Sequence, residues 1–408
     1  MRIIIALLRW LGLFVLLTAL ALAIFPQWPV LQDKFTSGPA RAYLDEHAVV
    51  LDYETPDGGF VLPSELYARR LITMHEIHGF ADTQILDLAM MRHLHEQAGW
   101  RIYLGELSPA QAIAFNEYVL GGSDQPTRAV FDRWASRSAQ WANQEFFGKL
   151  TAVREFNLTQ TAERKIIFLG VDLYSDDEDI SWIGETPSAP PGFANTDNIL
   201  AINHALLADA QARTPETRYG EILANIERVL NFPGADRARF YGLWGLFHGG
   251  QVETAGAKPL AMHLNEEGGL LEGEVVTIGT LCISQCFNLM PSRALPGPLQ
   301  GPNGEPYTSI PMAQDSTYLV RIRGYQEFAD RLGEERAMLL PLREDDSPYA
   351  KRPRLIEQTG FLALVTSLEY DGSAADAFDA VVIHRASPAL TPWEGEAYEL
   401  GAPAVTNE

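Results

Sequence analysis

Two histidines and a glutamate stand together at His75-Glu76-Ile77-His78, after an apolar run at 71–74 and before a helical pattern. A carboxylate beside an imidazole fixes its tautomer and raises its basicity. A histidine poised near neutral pH can then take a proton from water or a hydroxyl. Further on, the apolar run at 101–104 ends in Gly105-Glu106. Similar endings recur at Gly170-Val171-Asp172 and at Phe247-His248-Gly249-Gly250. Ionisable groups at the ends of successive strands build active sites in open α/β sheets. The residues singled out are Glu76, His78, Glu106 and His248, with His75 and Asp172 in support. Plainer readings stand beside this one. A strand-end histidine is often structural, Asp172 could cap a helix, and Glu106 before Leu-Ser-Pro could mark a helix entry. His75 is the weakest member, because alternation along an extended segment turns it away from Glu76.

The elements that must position these groups alternate between strand and helix. Strands are expected at 70–74, 100–104, 165–169, 239–247, 274–278, 361–368 and 378–384. A helix is expected at 82–97, where Leu86, Met90 and Leu94 recur at helical spacing beside Ile85 and Ala89. The first two strands and this helix read as a short parallel βαβ unit. His93 and His95 on that helix read as exposed or outside the site. Residues 108–160 read as helical, anchored by Trp134, Trp141, Phe146 and Phe147. Residues 184–197 read as a loop, and 198–230 as two helices broken near Thr214-Pro215. The proline-rich stretch 287–312 reads as a surface loop and a candidate lid. The fold class is therefore α/β, a mainly parallel sheet flanked by helices. Residues 61–400 form one catalytic domain with helical insertions at 108–160 and 184–235.

The 408-residue chain is 47% hydrophobic and carries a net charge of -22. That charge argues against nucleic acid or anionic lipid as a main partner. Arg2 and Arg9 precede an uncharged apolar run, so residues 1–28 read as a signal anchor or a cleaved signal peptide. Either exports the rest, and the anchor would add a membrane contact through the N-terminal helix. The domain would then be periplasmic or extracellular, or secreted if the signal is cleaved. Residues 29–60 read as a tether and entry segment. Cys282 and Cys286 could form a small disulfide or be two buried apolar residues; alone they are too few for a zinc site.

Several motifs are absent. His75-Glu76-Ile77-His78 is one residue short of H-E-x-x-H. There is no G-x-S-x-G elbow, no Walker A and no G-x-G-x-x-G. The glycine pairs at 121–122 and 249–250 carry little weight.

The arrangement resembles the superfamily that joins erythromycin-esterase-like proteins with haem-binding iron-regulated lipoproteins. The matching residues are Glu76 and His78 in His-Glu-Ile-His-Gly, Glu106 in Leu-Gly-Glu-Leu, and His248 in Leu-Phe-His-Gly-Gly. Further similarity lies in Gln111 through Gly121-Gly122, in Phe168-Leu-Gly-Val-Asp172, and at 378–384, within a span of about residues 65–390. His75 replaces the usual glycine, and the Glu-to-His spacing is that of the haem lipoproteins.

The resemblance implies a hydrolase acting on an ester, lactone or amide of a small-molecule substrate. His78 would activate water, Glu76 and Glu106 would orient it, and His248 would polarise the carbonyl or protonate the leaving group. No cofactor is required in that reading. The same four side chains could instead hold a divalent ion, since related members include metal-dependent peptidases. The other branch implies haem or iron binding, for which Tyr241 could supply an axial ligand. No Leu-x-x-Cys lipobox occurs near residues 15–25.

Overall fold

The computed structural model describes residues 2–395 apart from 26, 53–54, 56–57, 176–177, 179, 185–186, 215–216, 302–303, 314, 316–319 and 361–368, with backbone only at 2–8 and 22–23. The strand expected at 361–368 lies outside the described residues.

In chain order the strands are β1 (Val49–Leu51), β2 (Leu71–Glu76), β3 (Ile102–Gly105), β4 (Ile167–Gly170), β5 (Phe240–Gly245), β6 (Val275–Ile283), β7 (Phe287–Pro291), β8 (Tyr307–Pro311), β9 (Arg321–Ile322), β10 (Ala337–Pro341), β11 (Gln358–Thr359) and β12 (Ala380–Arg385). The helices are α1 (Arg2–Ile24), α2 (Gln27–His47), α3 (Ala81–Ala98), α4 (Pro109–Val119), α5 (Gln125–Ser136), α6 (Gln144–Leu158), α7 (Thr196–Gln211), α8 (Arg218–Asn231), α9 (Leu260–Asn265) and α10 (Tyr325–Leu332).

Eight strands form one sheet in the order β1-β10-β12-β6-β2-β5-β3-β4. From β12 to β4 all neighbours are parallel, while β10 runs antiparallel to β12 and β1. The mainly parallel α/β fold is as expected, with two differences. Neither β1 nor β10 had a strand reading in the sequence. And β2 and β3, read as a paired βαβ unit, are separated in the sheet by β5.

Alternation sorts the side chains of the central strands into two cores. Ile72, Met74, Tyr103, Tyr241 and Leu243 pack with the α3–α6 layer. Leu71, Ile102, Leu104, Phe240 and Trp244 pack with residues of α7, α8 and α9 on the other face. α3 has buried residues all round, which is why His93 and His95 are enclosed. His93 Nε2 meets the Tyr67 hydroxyl at 2.6 Å, and His95 Nε2 meets the Arg164 carbonyl at 2.6 Å. Of the expected anchors in the helical insertion, Phe146 and Phe147 are buried and Trp134 and Trp141 are partly buried against them. The break near Thr214-Pro215 falls between α7 and α8 as expected. The stretch read as a loop lid contains the antiparallel hairpin β7–β8. Cys282 and Cys286 are joined as a disulfide.

The N-terminal region departs most from expectation. Among the described residues, no helix is long and apolar enough to cross a membrane. The span expected of residues 1–28 is therefore not supported. α1 ends at Ile24, and its uncharged part after Arg9 runs only about 22 Å, short of a bilayer core of about 30 Å. Much of the tether expected at 29–60 is α2, docked on α10 and β10. The dock is electrostatic as well as apolar. Buried Asp33 accepts from Arg323 Nε at 2.8 Å and from the Gly324 N–H at 3.0 Å. Tyr43 and Leu44 pack with Phe328, Leu340 and Tyr349 beside it.

Removing one partner of a buried ion pair leaves a charge that nothing compensates. Asp33→Ala is therefore expected to destabilise the protein by about 3–5 kcal/mol, measured by chemical denaturation. Unchanged stability would mean that α2 is not held by this contact.

Candidate functional site

The carboxyl ends of β2, β5, β3 and β4 lie side by side, and every residue singled out sits there. β2 extends further than expected and takes in His75 and Glu76 as its last residues. Strand alternation separates these two. Glu76 points into the α3–α6 layer with Ile72 and Met74, and His75 points to the opposite layer. His75 is buried, bonds Thr73 Oγ1 through Nε2 at 2.8 Å, and packs on Gly249. Burial, and then the proximity of His248, push its pKa down to about 3, so it is a neutral structural residue.

His78 follows the strand and turns back, so that its Nδ1 meets Glu76 Oε1 at 3.0 Å. This leaves Nε2 facing Gly245, where a Cβ would stand only 2.8 Å away, so no larger residue fits there. The Trp141 ring lies 5.1 Å from the imidazole, centroid to centroid. Burial favours neutral His78, but the hydrogen bond to Glu76 and the charges of Glu76 and Glu106 outweigh it and raise its pKa above the ordinary 6.5.

Glu106 leaves β3 just before a capped helix. Ser108 caps α4 with a full capping box and Pro109 opens it, so Ser108 takes the helix-entry role considered for Glu106. Glu106 is saturated with donors. Oε1 accepts from Arg218 at 2.6 Å and lies 3.2 Å from His248 Nε2, while Oε2 accepts from the Gly245 N–H at 2.9 Å. Burial alone would raise its pKa; His248, His78 and Arg218 together hold it well below the usual carboxylate range. Asp172 joins through Arg218, whose Nε donates to Oδ1 at 2.9 Å. His248 spends its other nitrogen on the Tyr219 hydroxyl, 3.0 Å away.

A narrow cleft opens beside Glu76, His78 and Glu106 and is also lined by Gln84, Trp141 and Lys149. His248 does not line it. It lines a smaller apolar cavity on the other side of the sheet, with His75 and Trp244. Four of the six residues therefore meet as pairs around Glu106 and His78, while His75 and Asp172 stand behind them.

Sequence reasoning missed the residues that complete the site. Arg218 and Tyr219 open α8, beyond a break whose register the sequence does not reveal. Lys149 is buried and donates to Gln84 Oε1 at 2.7 Å and Asp87 Oδ2 at 2.6 Å. Asp87 also accepts from Tyr103 at 3.0 Å and Tyr241 at 2.8 Å. Tyr241, considered above as an axial haem ligand, is thus enclosed with its hydroxyl bound. Burial, and then the negative charge of Asp87, raise the pKa of both tyrosines well above 10.0. Asp87 on α3 and Lys149 on α6 are 62 positions apart, so no local spacing in the sequence signals this network.

Of the four residues considered for a divalent ion, Glu76 keeps Oε2 buried without a hydrogen-bond partner, whereas His248 and Glu106 are fully engaged. Both nitrogens of His248 and both oxygens of Glu106 are bound to other protein groups. Among the described residues, the group with converging ligand atoms is Glu46, His47 and Asp346, which lies elsewhere.

A raised histidine pKa means that the His78 contacts stabilise the fold fully below pH 6.5 and less as pH rises through the folded value. Glu106→Gln removes one of the negative charges that favour the imidazolium. Its expected effect is a lower His78 pKa, followed by NMR titration of the ring. A pKa unchanged or higher would show that Glu106 does not bias His78.

No family model and no curated protein matches the chain. Solved structures do. A Bacillus cereus protein aligns at 14% identity over 86% of this chain and 98% of that one, with a TM-score of 0.58. A succinoglycan biosynthesis protein aligns at 14% identity over 86% and 97%, with a TM-score of 0.54. A point mutant of the erythromycin esterase EreC, in its open conformation, aligns at 13% identity over 84% and 98%, with a TM-score of 0.51. At these identities the likeness concerns architecture: the chain has the fold of an erythromycin esterase, as the motifs around Glu76, His78 and Glu106 suggested.

Proposed function

We propose that the protein is a hydrolase of a small-molecule ester, lactone or amide, with His78 as general base. The observation that carries this reading is the His78–Glu76 pair at the wall of the cleft. With Nδ1 donating to Glu76, the Nε2 lone pair is left to take a proton from water. The water oxygen attacks the carbonyl carbon, and the imidazolium so formed is stabilised by Glu76. His78 then returns the proton to the leaving group as the carbon–heteroatom bond breaks. Positive charge at the cleft wall comes from Lys149, held by Gln84 and Asp87, and favours the oxyanion. Glu106 and His248 act through position. Glu106 holds His248, Arg218 and the Gly245 amide, and its charge biases His78.

In this reading the step uses protein groups alone. An exported location also belongs to this reading. The Cys282–Cys286 disulfide suits an oxidising compartment, and exposed Trp10, Phe14 and Leu17 on α1 suit a targeting segment.

The test is a panel of esters, lactones and peptides. His78→Ala is expected to cost about 10²–10⁴-fold in kcat/KM, and His248→Ala less. Turnover that survives His78→Ala would refute the assignment. The base must be neutral to act, so the rate should rise with pH through a pKa above 6.5. Glu76→Gln should move that limb to lower pH, and an unmoved limb would separate Glu76 from the base.

A further inference from the structure

The two successive backbone carbonyls of His78 and Gly79 are gripped from three separate segments. Asn288 Nδ2 donates to the His78 carbonyl at 2.6 Å, and Gln140 Nε2 donates to the same oxygen at 3.2 Å. The Gly79 carbonyl accepts from the N–H groups of Leu289 and Leu390, each at 3.0 Å. Asn288 is fully buried at 0% exposure. Gly79 has φ +113°, and a Cβ there would lie 2.3 Å from Asn288 Oδ1. The Asn288 amide occupies the room that a side chain at 79 would need.

Asn288 sits on β7, directly after the disulfide. Cys282 belongs to β6, which pairs with β2, and Cys286 immediately precedes β7. The turn between them passes through Ser284 at φ +69°. The Cys286 carbonyl accepts from the Met312 N–H at 2.8 Å, just beyond β8, and the Phe287 N–H donates to Ser387 at 2.9 Å. The cross-link therefore ties the root of the hairpin to a central strand of the sheet, next to the strand that carries Glu76.

We propose that Asn288 is a positioning residue for His78 and that the Cys282–Cys286 disulfide braces Asn288, so that the geometry of the His78–Glu76 pair depends on the two cysteines being oxidised. The inference rests on His78 being the working base. A carbonyl held by two side-chain amides cannot swing without leaving buried donors unpaired. A shift of about 1 Å in a reacting group can cost about 10²-fold in rate. Reduction by a dithiol adds two electrons and two protons to the S–S bond, giving two thiols and a cyclic disulfide of the reagent. The root of the hairpin is then joined to β6 by the backbone alone, and the turn through Ser284 is free to open.

The experiment uses the full chain with Asn288→Ala, Asn288→Asp and the double variant Cys282→Ala/Cys286→Ala. Asn288→Asp keeps the size of the side chain and removes its donor, which guards against failure of the alanine variant to fold. Two readouts apply: kcat and KM on the substrate found in the panel, and the ring ¹⁵N shifts of His78, which report the Nδ1 hydrogen bond. Both Asn288 variants should lower kcat by about 10–100-fold with KM little changed, and should move the His78 shifts. The cysteine variant should move both readouts in the same direction by a smaller amount. A folded Asn288→Asp protein with unchanged His78 shifts would overturn the positioning role. A cysteine variant identical to wild type would overturn the brace. The shifts need no substrate, so a panel without turnover would strike the hydrolase reading alone.

Discussion

Glu106 is a buried anion, and the ends of β3 and β5 are arranged to keep it one. A carboxylate taken out of water becomes neutral unless donors replace the lost solvation. Here the donors are Arg218, His248 and the Gly245 amide. Each has a structural consequence. Arg218 opens α8, where a cation opposes the helix dipole, and it is held there by Glu106 and Asp172. His248 is turned inward and left with no free ring nitrogen. Gly245 must lack a side chain, so His78 can approach the same strand end. The negative charge that results, with that of Glu76, is what makes the remaining histidine more basic.

The second organising constraint is the two-residue period of β2. His75 and Glu76 are adjacent in the chain and lie on opposite faces of the sheet. One becomes a neutral ring in an apolar layer and the other becomes the partner of His78. A single strand end thus serves both faces, the cleft on one and packing on the other.

Much of this was legible in the sequence. Apolar runs marked β2, β3, β4 and β5, and the groups after them marked the site. Periodicity marked α3, and alternation alone demoted His75. What stayed hidden depends on tertiary placement. β5 inserts between β2 and β3, which nothing local encodes. β10 is a short apolar run without a distinctive boundary. Asp87 and Lys149 look like ordinary helix-surface charges until two helices pack their faces together. Asn288 lies in a proline-rich stretch that reads as a loop, and the docking of α2 rests on one buried aspartate. The apolar N-terminus read as a signal anchor or a cleaved signal peptide, and among the described residues no helix is long and apolar enough to cross a membrane.

The sheet order also bears on how the molecule forms. β2 pairs on both sides with strands far along the chain, Leu71 with Phe240 and Leu71 with Val275. Contacts about 170–200 positions apart must close large loops, which makes folding slow compared with chains of local topology. A chain emerging from synthesis presents β2 with no strand to pair with until β5 arrives, while β3 can already pair with β4. During that interval Leu71, Ile72 and Met74 form an exposed apolar edge. The residues of the cleft would be among the last to acquire their surroundings, so this chain is the kind that gains most from a chaperone holding its first half.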